Sequence, residues 1–87
     1  MKELTVTFTC KDGKYTDIFN YFIDSYPEEY ELEYEGNRED IMVFYGEEVE
    51  TMENWIAEQR NANTQIQLTF RDLPEKEWKK IKARLDE

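Results

Sequence analysis

The chain has 87 residues, 21 acidic and 11 basic side chains, a formal net charge of -10, no histidine and one cysteine. That length supports one domain, spanning residues 1–87, with a small core. The missing histidine excludes Ser-His-Asp and Cys-His relays and histidine metal ligands, and the lone cysteine excludes an internal disulfide. No apolar run approaches the ~18 residues of a membrane span, and the N-terminus shows no secretory pattern, so the expected compartment is the cytoplasm.

Lys2 to Cys10 alternates, with Leu4, Val6, Phe8 and Cys10 on one face and Thr5, Thr7 and Thr9 on the other. This predicts a half-buried strand. Lys11-Asp12-Gly13-Lys14 supplies a turn. Ile18, Phe19, Phe22, Ile23 and Tyr26 then fall at helical spacing, with Thr16 or Asp17 as the cap and Pro27 as the stop. Tyr30, Leu32 and Tyr34 alternate with Glu29, Glu31, Glu33 and Glu35 in a second strand, and Gly36-Asn37-Arg38 forms a hairpin turn. Asp40 to Tyr45 is apolar on both parities, as in a central strand covered on both faces. Val49, Met52, Trp55 and Ile56 make the stripe of a second helix reaching about Asn61. Ile66, Leu68 and Phe70 alternate with Gln65, Gln67 and Thr69 in a fourth strand. Pro74 opens a third helix bearing Trp78, Ile81 and Leu85 on one side, with Asp72 and Glu75 at capping-box spacing.

The charge is concentrated. Residues 28–58 carry twelve acids against Arg38 alone, whereas residues 1–27 carry a net charge of -1 and residues 59–87 a net charge of +2. A concentrated field of one sign costs stability through self-repulsion and is read by partners of the opposite sign.

The order of elements predicts an α+β, ferredoxin-like βαββαβ domain. It has a four-stranded antiparallel sheet of order 4-1-3-2, two helices on one face, and a C-terminal third helix. Tyr30, Leu32 and Tyr34 then face the helices, and Glu29, Glu31, Glu33 and Glu35 form a comb on the other side of an edge strand, ~6.8 Å apart. Glu39 and Asp40 extend the acidic surface from the hairpin, and Glu47, Glu48, Glu50 and Glu53 from the start of the second helix. These ten residues are the candidate partner-binding set. The third helix is expected to lie across the open sheet face, Trp78, Ile81 and Leu85 covering Met42 and Phe44. Lys76, Lys79, Lys80, Lys82 and Arg84 would then meet part of the comb.

Regularly spaced carboxylates stand in for the phosphates of a nucleic acid strand and compete for the basic groove that binds one. In size, charge and economy the chain resembles the small acidic DNA-mimic inhibitors that phages and mobile elements use against restriction or CRISPR nucleases. The resemblance rests on no motif, and no residue role is carried over from it. It implies a non-enzymatic inhibitor of a basic nucleic-acid-binding protein or nuclease, acting in the host cytoplasm if phage-encoded, as a monomer or small homo-oligomer.

Other chemistry is poorly supported. No Gly-rich phosphate loop or EF-hand spacing occurs, so no catalytic residue, metal or cofactor is expected. Cys10 falls on the inward parity of its strand and reads as core. Tyr15, Tyr21 and Tyr45 are placed at the surface beside the acids, where aromatic rings and carboxylates both receive guanidinium groups. The open sheet face lacks the base-stacking aromatics of an RNA-recognition domain, which excludes direct nucleic-acid binding. A small-molecule-sensing regulatory domain with Asp12-Gly13 in its ligand loop, and an acidic adaptor or antitoxin, are the alternatives.

Overall fold

Alternation in the threonine-rich first segment is realised as β1 (Lys2–Cys10), where Leu4, Val6, Phe8 and Cys10 are all buried. A computed structural model describes residues 1–86. The order continues α1 (Thr16–Ser25), β2 (Glu31–Glu33), β3 (Ile41–Gly46), a 3₁₀ turn (Val49–Thr51) leading into α2 (Met52–Ala57), β4 (Thr64–Asp72) and α3 (Glu75–Leu85).

The four strands form one antiparallel sheet of order β2-β3-β1-β4, which counted from the other edge is β4-β1-β3-β2. Register puts Leu4 between Phe44 and Phe70, and Val6 between Met42 and Leu68. These side chains share the face on which Phe19 and Phe22 of α1 and Met52 and Ile56 of α2 pack. Phe22 makes edge contacts with Phe8 and Trp55, both at 4.9 Å between centroids, and so joins β1, α1 and α2. Phe8, Phe22 and Phe44 are at most 2% exposed, and burial of each stabilises the fold by about 1.5–3 kcal/mol.

Helix α1 ends where the next residue, Tyr26, turns extended (φ -64°, ψ 149°), as the ring of Pro27 requires of the residue before it. Its start differs from expectation: Tyr15 occupies the cap position and no side chain caps it. Helix α3 likewise begins without a side-chain cap, Pro74 standing at the cap itself. Glu75 and Glu77 in its first turn and Lys82 and Arg84 in its last complement its dipole. Helix α2 is shorter than expected. The apolar stripe has no member after Ile56, and Gln59 folds back to donate to the Trp55 carbonyl at 3.0 Å.

The other sheet face is covered too, but not by the contacts expected. Trp78, Ile81 and Leu85 of α3 pack with Val43, Tyr45, Leu73 and Met1, while Met42 and Phe44 lie in the first core. Pairing of Leu4 with Phe44 and of Val6 with Met42 decides the parity of β3.

Strand β2 is also a correction. Only Glu31–Glu33 pair with β3, and Tyr30 is buried instead in the loop before the strand. The Tyr30 ring lies against the Cα of Gly46, so closely that a Cβ there would fall 2.5 Å from Cδ1. Its hydroxyl donates to the Glu48 carbonyl at 3.2 Å and also bonds Thr51 Oγ1. Gly46→Ala should therefore destabilise the protein by about 1–3 kcal/mol, because a rigid aromatic ring must shift. Gly36→Ala, where no atom lies within 4 Å of the new methyl, serves as the control, with a change within about 0.5 kcal/mol. Thermal denaturation of the two variants measures the difference, and equal midpoints would remove the close-packing account.

Candidate functional site

The acids of residues 28–58 do not form one continuous row. Glu33, in the middle of the expected comb, is neutralised from across the chain: Arg84 donates Nε to Oε2 at 2.7 Å and Nη2 to Oε1 at 2.8 Å. The Tyr45 hydroxyl donates to the same carboxylate at 3.2 Å. Asp40 is clamped by Arg38, with Nε to Oδ1 at 3.1 Å and Nη2 to Oδ2 at 3.0 Å. That pairing holds the Asp40 carboxyl below its ordinary range. Glu50 is ion-paired with Lys2, whose hydrogen bond lowers the Glu50 pKa in the same way.

The seven remaining candidates have no cationic partner within 4.0 Å among the described residues. They fall into three places. Glu29 and Glu31, at the entrance to β2, meet Glu47 and Glu48, in the turn leaving β3, around a shallow open depression lined by Tyr45 and Trp78. Glu35 and Glu39 lie in the hairpin at the other end of β3, ~17 Å away along the six-residue strand. Glu53 is on the first turn of α2, across the sheet from α3. Glu29 and Glu35 are outside the strand altogether, so the comb retains only Glu31 and Glu33 as strand residues.

The depression is built by long-range packing. Pro27 accepts the Tyr30 N–H at 3.3 Å and closes the turn that carries Glu28 and Glu29. Tyr30 then docks on Gly46 and the 3₁₀ turn, setting Glu29 and Glu31 beside Glu47 and Glu48. Glu31 pairs in register with Tyr45. Tyr45 and Trp78 touch with ring centroids 5.5 Å apart. Lys82, from the same helix face as Trp78, is the one cationic side chain in the lining, and Met1 lines it too.

Trp78 and Lys82 were not in the candidate set read from sequence. Trp78 was read only as cover for the sheet, whereas Lys82 was among the α3 cations expected to meet the comb, and it lines the depression beside Glu29 and Glu31. Of the α3 cations expected to meet the comb, Lys79 bonds Glu75 within its own helix, and among the described residues Arg84 alone bonds a comb residue. Tyr21 is exposed as expected, but Tyr45, placed at the surface by the sequence, is 3% exposed, and Tyr34, placed against the helices, is exposed.

Among the described residues, no cluster of three or more His, Cys, Asp or Glu side chains is placed to hold a metal ion, and no helix is long and apolar enough to cross a membrane. Cys10 is a buried free thiol next to Thr64 Oγ1 at 3.6 Å.

Tyr45 reports directly on this environment. Burial, then the charges of Glu33 and Glu3, push its phenol from 10.0 up to about 12. A raised folded value favours the neutral phenol, so this contribution to stability is whole below the unfolded value and is lost as pH rises from about 10 to about 12. Tyrosinate absorbance should show one of the six tyrosines ionising last, and Tyr45→Phe should remove that step. Titration of all six together would contradict the geometry.

No family model, curated protein or solved structure matches this chain.

Proposed function

We propose that this chain is a non-enzymatic inhibitor that binds the basic surface of a nucleic-acid-binding protein or nuclease, its carboxylates taking the place of phosphates. The observation that carries the reading is the rim of Glu29, Glu31, Glu47 and Glu48, four carboxylates with no ion-pair partner of their own among the described residues. Juxtaposed like charges raise the energy of the free protein, and a cationic partner relieves that repulsion on binding. Each carboxylate accepts two parallel N–H bonds from a guanidinium, the fork geometry that arginine also offers to phosphate. Glu35 and Glu39 form a second, smaller acidic site at the far end of β3, so the partner is engaged at two points and not along an unbroken comb.

The scaffold reading that accompanies this is the ferredoxin-like one. Its support is the βαββαβ order, the antiparallel pairing and the packing of α1 and α2 on one face. A rigid sheet suits a mimic because carboxylates held in place lose little entropy on binding. The proposed site of action is the cytoplasm.

Affinity capture from a cell lysate tests the reading. Nucleic-acid-binding proteins should be retained at low salt, released by competing DNA, and bound about tenfold or more weakly once salt rises from ~50 to ~200 mM. The Glu31→Lys/Glu48→Lys double variant should lose them while keeping its fold, since both side chains are exposed. Retention that ignores salt and both reversals would overturn the proposal. Retention that depends on the acids but ignores DNA would replace mimicry with an acidic adaptor function.

A further inference from the structure

The two edges of the sheet are protected very differently. Strand β2 pairs over three residues and is flanked by turns, whereas β4 pairs with β1 over nine, Thr64–Asp72, and has no strand on its other side. Between Thr64 and Phe70 it carries no charge, proline or glycine, the residues that natural edges use against pairing with another chain.

The hydrogen bonds show which groups of β4 point outward. Lys11 N–H donates to the Asn63 carbonyl and Leu73 N–H to the Met1 carbonyl. In an antiparallel ladder this puts the odd-numbered residues of β4 in the bonds to β1 and leaves the even-numbered ones facing away. Arg60 confirms it, its Nη2 donating to the outward Ile66 carbonyl at 3.2 Å. The N–H and C=O groups of Leu68 and Phe70 face the same way. The even side chains also share the helix-side face, where exposure grows along the strand from buried Ile66 through half-buried Leu68 to Phe70 at 41%.

We propose that two copies of this chain pair antiparallel through β4, centred on Leu68, to form one continuous eight-stranded sheet. With that centre the outward groups of both copies meet. Leu68 faces its own counterpart, Ile66 faces the partner's Phe70, and Phe70 gains the apolar cover it lacks in the single chain. Gln65 faces the partner's Arg71 and Thr64 the partner's Asp72, so no like charges oppose each other directly. A centre one residue later would set Asp72 against Ile66. The Arg60 guanidinium, which holds one outward carbonyl, moves aside for the incoming strand.

Self-complementary register names a second copy as the occupant, and charge does not oppose it. Strand β4 lies in the part of the chain, residues 59–87, whose net charge is +2, while the acidic stretch feeds the opposite edge. Pairing through β4 puts the two β2 edges seven strand spacings apart, ~34 Å. That is several times the ~8–10 Å screening length at physiological salt, so the acidic ends hardly repel. The contact is isologous and closes at two copies.

Sedimentation equilibrium over micromolar to millimolar concentration should give twice the 10.6 kDa chain mass, and Phe70→Lys should weaken association by more than about tenfold. Hydrogen exchange on the unmodified protein gives a test independent of any variant's folding. The Leu68 and Phe70 amides should be protected, increasingly so at higher concentration. A monomer at all concentrations would overturn the proposal. So would a dimer in which those two amides exchange as fast as that of Gly36.

Discussion

Contact between the Tyr30 ring and Gly46 is the constraint on which the acidic end of this molecule depends. A Cβ at position 46 would fall 2.5 Å from the ring and force it to shift, and the hydroxyl on that ring reaches into the 3₁₀ turn at the Glu48 carbonyl. One side chain thereby fixes the loop entering β2 against the turn leaving β3. Glu29 and Glu31 come from the first side and Glu47 and Glu48 from the second, and these four negative charges are held together by an uncharged contact.

A second constraint is the division of β3 between two cores. Met42 and Phe44 belong to the α1/α2 side, and Val43 and Tyr45 to the α3 side. Because α3 must cover Val43 and Tyr45, its last turn arrives over β2 and delivers Arg84 to Glu33. Both side chains keep contact with solvent, so the pair contributes little to stability. Its larger effect is on the charge pattern. It removes the central carboxylate and leaves acids at the two ends of β3.

Legibility in the sequence followed the range of the interactions. Strands β1 and β4 and helices α1 and α3 are written in local periodicity, and Pro27 marks the end of α1 through a purely local clash. The parity of β3 was not readable, since apolar residues occupy both faces and only pairing with β1, more than 30 residues away, decides between them. Strand β2 was overread for a related reason. Seven alternating residues, Glu29 to Glu35, satisfy the strand period, yet Tyr30 buries its ring on Gly46 and does not extend the ladder. For the candidate site, the acidic segment was evident and Arg84 was among the cations expected to meet it, but which carboxylate each cation takes was not. Lys2 to Glu50 spans 48 residues and Arg84 to Glu33 spans 51, distances over which a linear pattern carries no register.

The most direct measurement of the central claim is an NMR titration of the isotopically labelled protein with an arginine-rich peptide, followed by amide chemical shifts. If the rim is the surface that receives cationic partners, the largest shifts fall at Glu29, Glu31, Gly46, Glu47 and Glu48, and they collapse as salt is added. Shifts centred on the Glu39–Asp40 hairpin or on β4, or spread evenly over all exposed acids, would contradict it.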